Sequence, residues 1–433
     1  MKTNLWLNVL LSSFLFNIAY FWPQYFAFCV LISFYPVYLI CKDLKAGYFN
    51  IYCAGFFWGL LAIGGHIFWF LILFLKKSTA TPLQSFLIYF AFVFYISLTS
   101  GFWFLISNFS IKKVSNKFKN KFLHLLTFFL ISFLYFKFLI NYASFVLGEC
   151  VRYPFISPLI PLSSYKWFLK CIFIVSSLIN FGQEVQKKTF NLDGEGRRVK
   201  LLYLKPDRRK EYLAHPAIAA QRIYQKLAKL KLQRFSKSTD LILIFAPEST
   251  FPFALNKHPE AIEMWSNLFS DNVYFLIGSN RENRGKIFQT IYLVCQGRIM
   301  KHYDKQHLIP LTETLPTIWK NFSFTKQLFL CGKNQISLPG FQERYFQIRN
   351  MRIYLNVCSD FFCRQTFKDF KLNENYNNLI CCFLNDSWFV NYFKNLMKNY
   401  AYYQSVKLNS PILYIAHSGM DLISGRMHGS RRV

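Results

Sequence analysis

The sequence predicts an α-helical transmembrane bundle followed by an α/β domain built in layers. Three observations carry that reading. Of the 433 residues, 53% are hydrophobic and 20% are aromatic, and Phe alone occurs 51 times, which is too apolar for an ordinary water-soluble domain. The apolar residues crowd into the first part of the chain, where Asp43 and Glu149 stand nearly alone as acids. From Arg197 onward charged stretches alternate with short apolar runs, the pattern of strands and helices in a layered α/β domain. The expected organisation is a multi-pass bundle of about six spans over 1–185 and a second domain over 196–433.

Residues 5–41 hold two apolar runs separated by FWPQ (21–24), which reads as a tight membrane hairpin. The first run is kept as a span because no small-residue cleavage site follows it and more apolar segments do. Further spans are expected over 51–75, 86–109 and 122–147, each near the roughly 20 residues that cross a bilayer, with a shorter one over 167–181. Trp22, Trp69, Tyr153 and Trp167 sit at segment edges, as interfacial anchors do. Glu149 and Arg152 form an acid and a base beside the membrane, open to two readings: a headgroup-level ion pair, or residues that handle lipid.

The formal net charge of +30 is assigned to the membrane surface. Lysines cluster between apolar segments, as at Lys112, Lys113, Lys117, Lys119 and Lys121, and no aromatic RNA-binding motif accompanies them, so nucleic acid is not expected as a partner. The lysine distribution places the N-terminus inside, and six spans would leave the second domain inside too. The 11 cysteines are scattered without a CxxC pair, so no zinc site or other metal site is expected.

In the second domain VKLLYL (199–204) reads as a strand. A helix is expected around 214–232, with Ile218, Ile223, Leu227 and Leu230 on one face. DLILIFA (240–246), VYFLIGS (273–279) and IFQTIYLVC (287–295) read as buried strands, the last closed by a turn at Gly297. MRIYLNV (351–357) is a further strand that ends on Cys358, and the run before FLNDSWF (383–389) is another. Strands separated by helices imply a sandwich whose sheet faces are covered.

The chemistry-bearing residues follow these strands. Glu248 comes after five apolar residues and a proline, where partial desolvation would raise its pKa and suit a general base; a turn carboxylate capping a helix would look the same. Lys305 lies in HYDKQHLIP (302–310), where a cation could hold a developing oxyanion, and Glu313 follows to orient it or simply to face solvent. Cys358 is either inert core or the nucleophile of a covalent acyl transfer. Trp388 and Phe389 would serve equally as ordinary packing or as the wall for an acyl chain. Cys381 and Cys382 read as packing residues.

Taken in order, FAPE (245–248), YDKQHLIP (303–310) with Glu313, Val357–Cys358 and NDSWF (385–389), all behind a membrane bundle, resemble apolipoprotein N-acyltransferase, a bacterial membrane family of the nitrilase superfamily. The resemblance spans nearly the whole chain and implies a nitrilase-like αββα sandwich. It maps a catalytic triad onto Glu248 (general base), Lys305 (oxyanion stabiliser) and Cys358 (nucleophile), with Glu313, Ser359 and Asp360 in support. Trp388, Phe389, Glu149 and Arg152 fall at substrate-binding positions. The implied reaction moves an acyl group from the sn-1 position of a phospholipid, through a Cys thioester, to the N-terminal cysteine amine of a diacylated lipoprotein. It needs no cofactor. The implied setting is the bacterial inner membrane with the catalytic domain on the periplasmic face, opposite to the side that six spans would give. A nitrilase-type amidase or hydrolase, and a catalytically decayed protein that binds lipid or lipoprotein, are the alternatives.

The chain departs from the family pattern at several places. Ser359–Asp360 stands where the family has Tyr-Glu, which shortens the carboxylate by one methylene. Leu311–Thr312 replaces Phe-Gly, Gln404 and Lys407 replace an Arg and Glu pair, and His417 replaces an Asn. The family's last transmembrane helix has no counterpart before Val433.

Overall fold

The computed structural model describes residues 4–43, 45–68, 81–117, 122–132, 199–206, 216–234, 241–266, 271–308, 338–363, 377–389, 391–408 and 410–424, with single positions at 71, 72, 75, 134, 135 and 313. The chain divides into two compact units, one of Met1–Ile172 with Leu315–Gly332 and Phe389–Tyr403, the other of Phe173–Thr314, Lys333–Trp388 and Gln404–Val433.

The first unit is helical. Its opening helix, Leu5–Phe21, is capped by the Asn4 side chain and ends at Trp22, followed by Pro23 at the start of the next turn. The break expected at FWPQ is therefore present. A broken run of short helices leads into Phe34–Lys42. Among the described residues two helices, Tyr48–His66 and Pro82–Ser115, are long and apolar enough to cross a membrane. The second extends to Lys117 as one 36-residue helix, longer than the span expected at 86–109. Phe122–Ser132 is a shorter apolar helix at the start of the expected fifth span. Apart from Leu134 and Tyr135, the remainder of that span and the sixth lie outside the described residues.

This unit is apolar outside, and polar side chains are threaded through its aromatic interior, where Phe16, Trp58 and Trp103 are fully buried. Leu7, Phe14, Phe49, Phe102, Phe109 and Phe122 are exposed, while Ser12, Ser33, Ser100 and Asn108 are buried. The buried groups bond one another: Trp58 Nε1 donates to Ser12 Oγ at 2.8 Å, and Ser12 Oγ donates to the Ser33 carbonyl at 2.6 Å. Asn108 Nδ2 donates to the Cys41 carbonyl at 2.8 Å. A π-helical stretch runs over Gly59–Ile63, and its Leu61 carbonyl accepts from Asn17 Nδ2 at 2.9 Å. Gly55 and Gly59 form a GxxxG step against the long helix; a Cβ on Gly55 would lie 2.6 Å from the Ser100 carbonyl oxygen. Water does not reward so much exposed apolar surface, so the pattern fits a hydrocarbon solvent.

The second unit is built on two five-stranded sheets. The first has order β1-β2-β3-β4-β5: β1 (Val199–Tyr203), β2 (Leu241–Ala254), β3 (Val273–Asn283), β4 (Lys286–Cys295) and β5 (Arg298–Asp304). β1, β2 and β3 run parallel, then two antiparallel hairpins follow. The second sheet has order β10-β9-β8-β7-β6: β6 (Tyr345–Ile348), β7 (Met351–Val357), β8 (Asn377–Leu384), β9 (Ile412–Ala416) and β10 (Gly419–Ile423). Here β7, β8 and β9 are parallel and the two edge strands antiparallel.

The two sheets stack face to face. One continuous core takes Leu243, Phe245 and Ile291 from the first sheet and Ile353, Leu355 and Val357 from the second. Strand alternation sends these side chains inward. The neighbours Ile242, Ile244 and Phe275 point outward, where Ile223 and Leu227 of the helix Pro216–Arg234 and Ile262 of the helix Pro259–Ser266 cover them. Ile218, expected on that buried face, is 40% exposed, because it lies in the helix's first turn. Tyr203 Oη ties the sheets together by donating to the Ala416 carbonyl at 2.6 Å. The helix Asn391–Lys407 is the crossover between parallel β8 and β9.

Candidate active site

Four segments of the α/β unit converge. The sequence places Glu248 at a strand end, but β2 continues past it to Ala254. Glu248 sits instead in a bulge, since the pairing of β2 with β3 loses register between Ala246 and Phe251. Ser249 takes φ 54° there, and Thr250 Oγ1 closes the loop by donating to the Pro247 carbonyl at 2.7 Å. Gly278 on β3 makes room for the bulge, for a Cβ there would come within 2.6 Å of the Glu248 Cα.

Lys305 follows the end of β5, Cys358 the end of β7 and Asn385 the end of β8. Lys305 Nζ donates to Glu248 Oε1 at 3.2 Å and to Glu313 Oε1 at 2.8 Å. The other Glu248 oxygen accepts from the Asn385 backbone N–H at 3.0 Å. The Glu248 carbonyl accepts from His417 Nε2 at 2.7 Å, which sets the proton on that ring nitrogen. Cys358 opens a 3-10 turn with φ 47°, a left-handed backbone that a non-glycine residue adopts only under constraint. Its thiol lies against the Glu248 carboxylate. Glu248, Lys305, Glu313 and Cys358 are all buried.

Burial sets the electrostatics. It pushes the Glu248 carboxyl above its usual range, with Lys305 pulling down and Glu313 pushing up. Burial alone would lower the Lys305 ammonium, yet Glu248, Glu313 and Cys358 together hold it well above the ordinary lysine value. The Cys358 thiol is pushed up first by burial and then by Glu248, with Lys305 opposing. The resting arrangement is therefore a neutral thiol beside a carboxylate that is a stronger base than a solvated one.

Two residues beside the cysteine hold the site together in a way the sequence does not announce. The Asp360 carboxylate is fully buried and accepts from the backbone N–H groups of Gln306 at 3.1 Å and His307 at 2.6 Å, and from Tyr303 Oη at 3.0 Å. It also receives the Val357 N–H at 3.3 Å. Ser359 Oγ donates to the His307 carbonyl. The shorter Asp thus still spans the gap between the turn that carries Cys358 and the lysine segment. The signal for Gly278 was legible, since a glycine inside a strand marks a close backbone approach. The roles of Asn385 and His417 had no local signature, because their bonds to Glu248 reach across more than a hundred residues of chain.

The other expected positions are placed as follows. Cys381 and Cys382 are fully buried on β8, and burial raises both thiols well above the ordinary value. Trp388 ends a 3-10 turn, Asp386–Trp388, and Phe389 follows it half-buried, its ring 4.6 Å from that of Phe393. Glu149, Arg152, Leu311 and Thr312 lie outside the described residues.

No family model matches the chain. It is similar to the apolipoprotein N-acyltransferase of Allorhizobium ampelinum, 26% identical over 205 residues, which are 42% of this chain and 36% of that protein. It is also similar to the apolipoprotein N-acyltransferase of Aquifex aeolicus, 28% identical over 172 residues, which are 38% of this chain and 36% of that protein. The chain matches a little over a third of the length of these curated relatives. Among solved structures it is similar to Nit3 of Saccharomyces cerevisiae, a member of the nitrilase superfamily, with 14% identity and a TM-score of 0.32 over 50% of this chain and 74% of that one. The fold is read from the strand order above.

Proposed function

We propose that this protein is a membrane N-acyltransferase that moves an acyl group from a phospholipid to the N-terminal cysteine amine of a diacylated lipoprotein. The observation that carries the reading is the buried cluster in which Lys305 bonds both Glu248 and Glu313 while Glu248 and Lys305 act electrostatically on the thiol of Cys358. The similarity to two apolipoprotein N-acyltransferases supports the substrate class. The apolar exterior of the helical unit supports a membrane setting. The setting in this reading is the bacterial inner membrane, with the α/β unit on the periplasmic side, as the resemblance of the sequence motifs implies.

The reaction proceeds in two halves. Cys358 Sγ attacks the sn-1 ester carbonyl while its proton passes to Glu248. The resulting oxyanion is held by Lys305, two of whose three N–H donors already bind Glu248 and Glu313, and by the backbone N–H after Cys358. Collapse breaks the ester C–O bond, Glu248 returns the proton to the leaving oxygen, and a lysophospholipid departs from a Cys358 thioester. The lipoprotein α-amine then attacks the thioester and loses a proton to Glu248. The C–S bond breaks, the new amide leaves, and the proton returns to the thiolate. No step calls for a metal or a nucleotide. Trp388 and Phe389 would face the acyl chain, and Glu149 with Arg152 the headgroup.

The test is intact-protein mass spectrometry on the detergent-solubilised chain incubated with phosphatidylethanolamine, beside Cys358→Ala. An acyl adduct that needs Cys358 and is discharged by a diacylated lipopeptide is the expected result. Discharge by water at the same rate without the lipopeptide would make the protein a hydrolase. Absence of any adduct would end the covalent mechanism and favour a lipid-binding scaffold.

A further inference from the structure

A cleft opens beside the β3–β4 hairpin, and its lining residues are not those of the cysteine cluster. The hairpin turns at Arg284–Gly285, and Arg281, Arg284 and Lys286 line this cleft of about 780 Å³ with Phe288, Asp304 and Phe341. That volume is within the range of small-molecule sites. Its charge is strongly one-sided. Asp304 is the one carboxylate among the described residues that line it, and Arg281 matches it with two bonds, Nε to Oδ1 at 3.0 Å and Nη2 to Oδ2 at 2.5 Å. Thr290 Oγ1 and Gln342 Nε2 saturate the remaining Asp304 positions at 2.5 and 2.7 Å. Arg284 and Lys286 are exposed and have no carboxylate partner among the described residues, so the cleft carries two uncompensated positive charges.

The rim is apolar in one place. Phe341 is 91% exposed, the most exposed of the large hydrophobic residues described. Water does not reward such a ring, and an acyl or glycerol backbone does. Its strap is not loose, since Gly340 N–H donates to the Lys305 carbonyl at 2.9 Å and Gln306 Nε2 donates to the Gln342 carbonyl at 2.7 Å. Arg281 is also fixed from the other side, its guanidinium 4.4 Å from the Phe288 ring centroid. Two uncompensated cations at a hairpin turn, Arg284 and Lys286, beside an exposed aromatic match a ligand with a phosphodiester and an apolar tail.

We propose that this cleft binds the headgroup of an anionic phospholipid, with Arg284 and Lys286 on the phosphodiester and Phe341 against the glycerol–acyl junction. This goes beyond the acyl-transfer reading and stands without it, because none of the three residues belongs to the cysteine site.

The test uses the full-length chain in nonionic detergent, titrated with dihexanoylphosphatidylglycerol and followed by native mass spectrometry. Dihexanoylphosphatidylcholine and inorganic phosphate form parallel arms. The expected result is preferential binding of the anionic lipid, weakened about tenfold in R284A/K286A, as for the loss of charge-assisted contacts. F341S should weaken the lipid and leave phosphate unchanged. Cys358→Ala should bind as the parent does, which separates this site from the thioester chemistry. Lys229→Ala, on the helix Pro216–Arg234, controls for loss of surface charge. All substituted cleft side chains are exposed, so unchanged thermal unfolding is expected for each variant. Equal binding of phosphate would make this a free-anion site and overturn the lipid assignment. Equal binding of the zwitterionic lipid, an equal effect of Lys229→Ala, or unaltered binding by R284A/K286A would also overturn it.

Discussion

The carboxylate of Asp360 binds the backbone N–H of His307 at 2.6 Å and so joins the turn that carries Cys358 to the segment that carries Lys305. With the Gln306 N–H at 3.1 Å and Tyr303 Oη at 3.0 Å, this is a charge-assisted clamp in a fully buried place. Asp360→Asn keeps the shape, removes the charge and turns one acceptor into a donor facing N–H groups. The acylation rate of Cys358 should fall roughly 10²-fold, the scale for a reacting group displaced by about 1 Å. The thermal midpoint should fall as well, by the equivalent of about 1.5–3 kcal/mol for a lost bond to a charge. Single-turnover mass spectrometry reads the first and calorimetry the second. An unchanged rate would make Asp360 a structural residue only.

Lys305 is enclosed between two carboxylates, and its removal should harm the fold before it harms the chemistry. Lys305→Met leaves Glu248 and Glu313 buried without their cation, a loss on the order of 3–5 kcal/mol. Its folded pKa is raised above the unfolded value. The stabilisation from its charged form is therefore fully present below the ordinary lysine pKa of about 10.4 and is lost as pH rises through the folded value. The parent should lose thermal stability at alkaline pH, and the Met variant should show a lower midpoint with less of this alkaline decline. Equal declines in both proteins would assign the alkaline loss to other groups.

Glu248 predicts an acid limb in the rate. Burial raises its carboxyl above the usual glutamate value of about 4.3, and only the ionised form accepts the thiol proton. Acylation should rise with pH through a midpoint above that value, and Glu248→Gln should abolish the limb along with the activity. The linked stability has the opposite sign. A raised carboxyl favours the fold most below the unfolded pKa, and that contribution fades as pH climbs through the folded one. A rate midpoint at or below the solvated value would mean that another group limits the step.

The architecture was readable because its signals are local and repeated. Strands β1 to β4, β7 and β8 each show as apolar runs, and the break at Trp22–Pro23 follows from the chemistry of proline. β6, β9 and β10 were not read: β6 has only four residues, and the register that makes strands of such short runs comes from their neighbours. Glu248, Lys305 and Cys358 stood out only in combination and by the resemblance of their motifs, since each alone reads as readily as a helix cap, a surface charge or inert core. That Glu248 lies in a bulge could not be read, because a bulge exists only relative to the strand it pairs with. The work of Asp360 was hidden for the same reason: its partners Gln306 and His307 are more than fifty residues away in the chain.

Gly278 offers the sharpest test of that bulge, since it touches no reacting atom. A methyl group there would stand 2.6 Å from the Glu248 Cα, closer than real contacts allow, and it would also press on the Pro247 carbonyl. The listener to this push is backbone, not the free end of a side chain, so the bulge itself must move. Gly278→Ala should cost about 1–3 kcal/mol of stability, the usual penalty for overpacking. It should also slow Cys358 acylation more than this loss of folded population explains, because a shifted Glu248 loses its line to the thiol. The informative readout is the rate per folded molecule at a temperature where the variant remains folded. A normal rate there would show that the bulge tolerates displacement and that the glycine serves packing alone. A reduced rate with an unshifted acid limb would place the defect in the geometry of Glu248 rather than in its basicity.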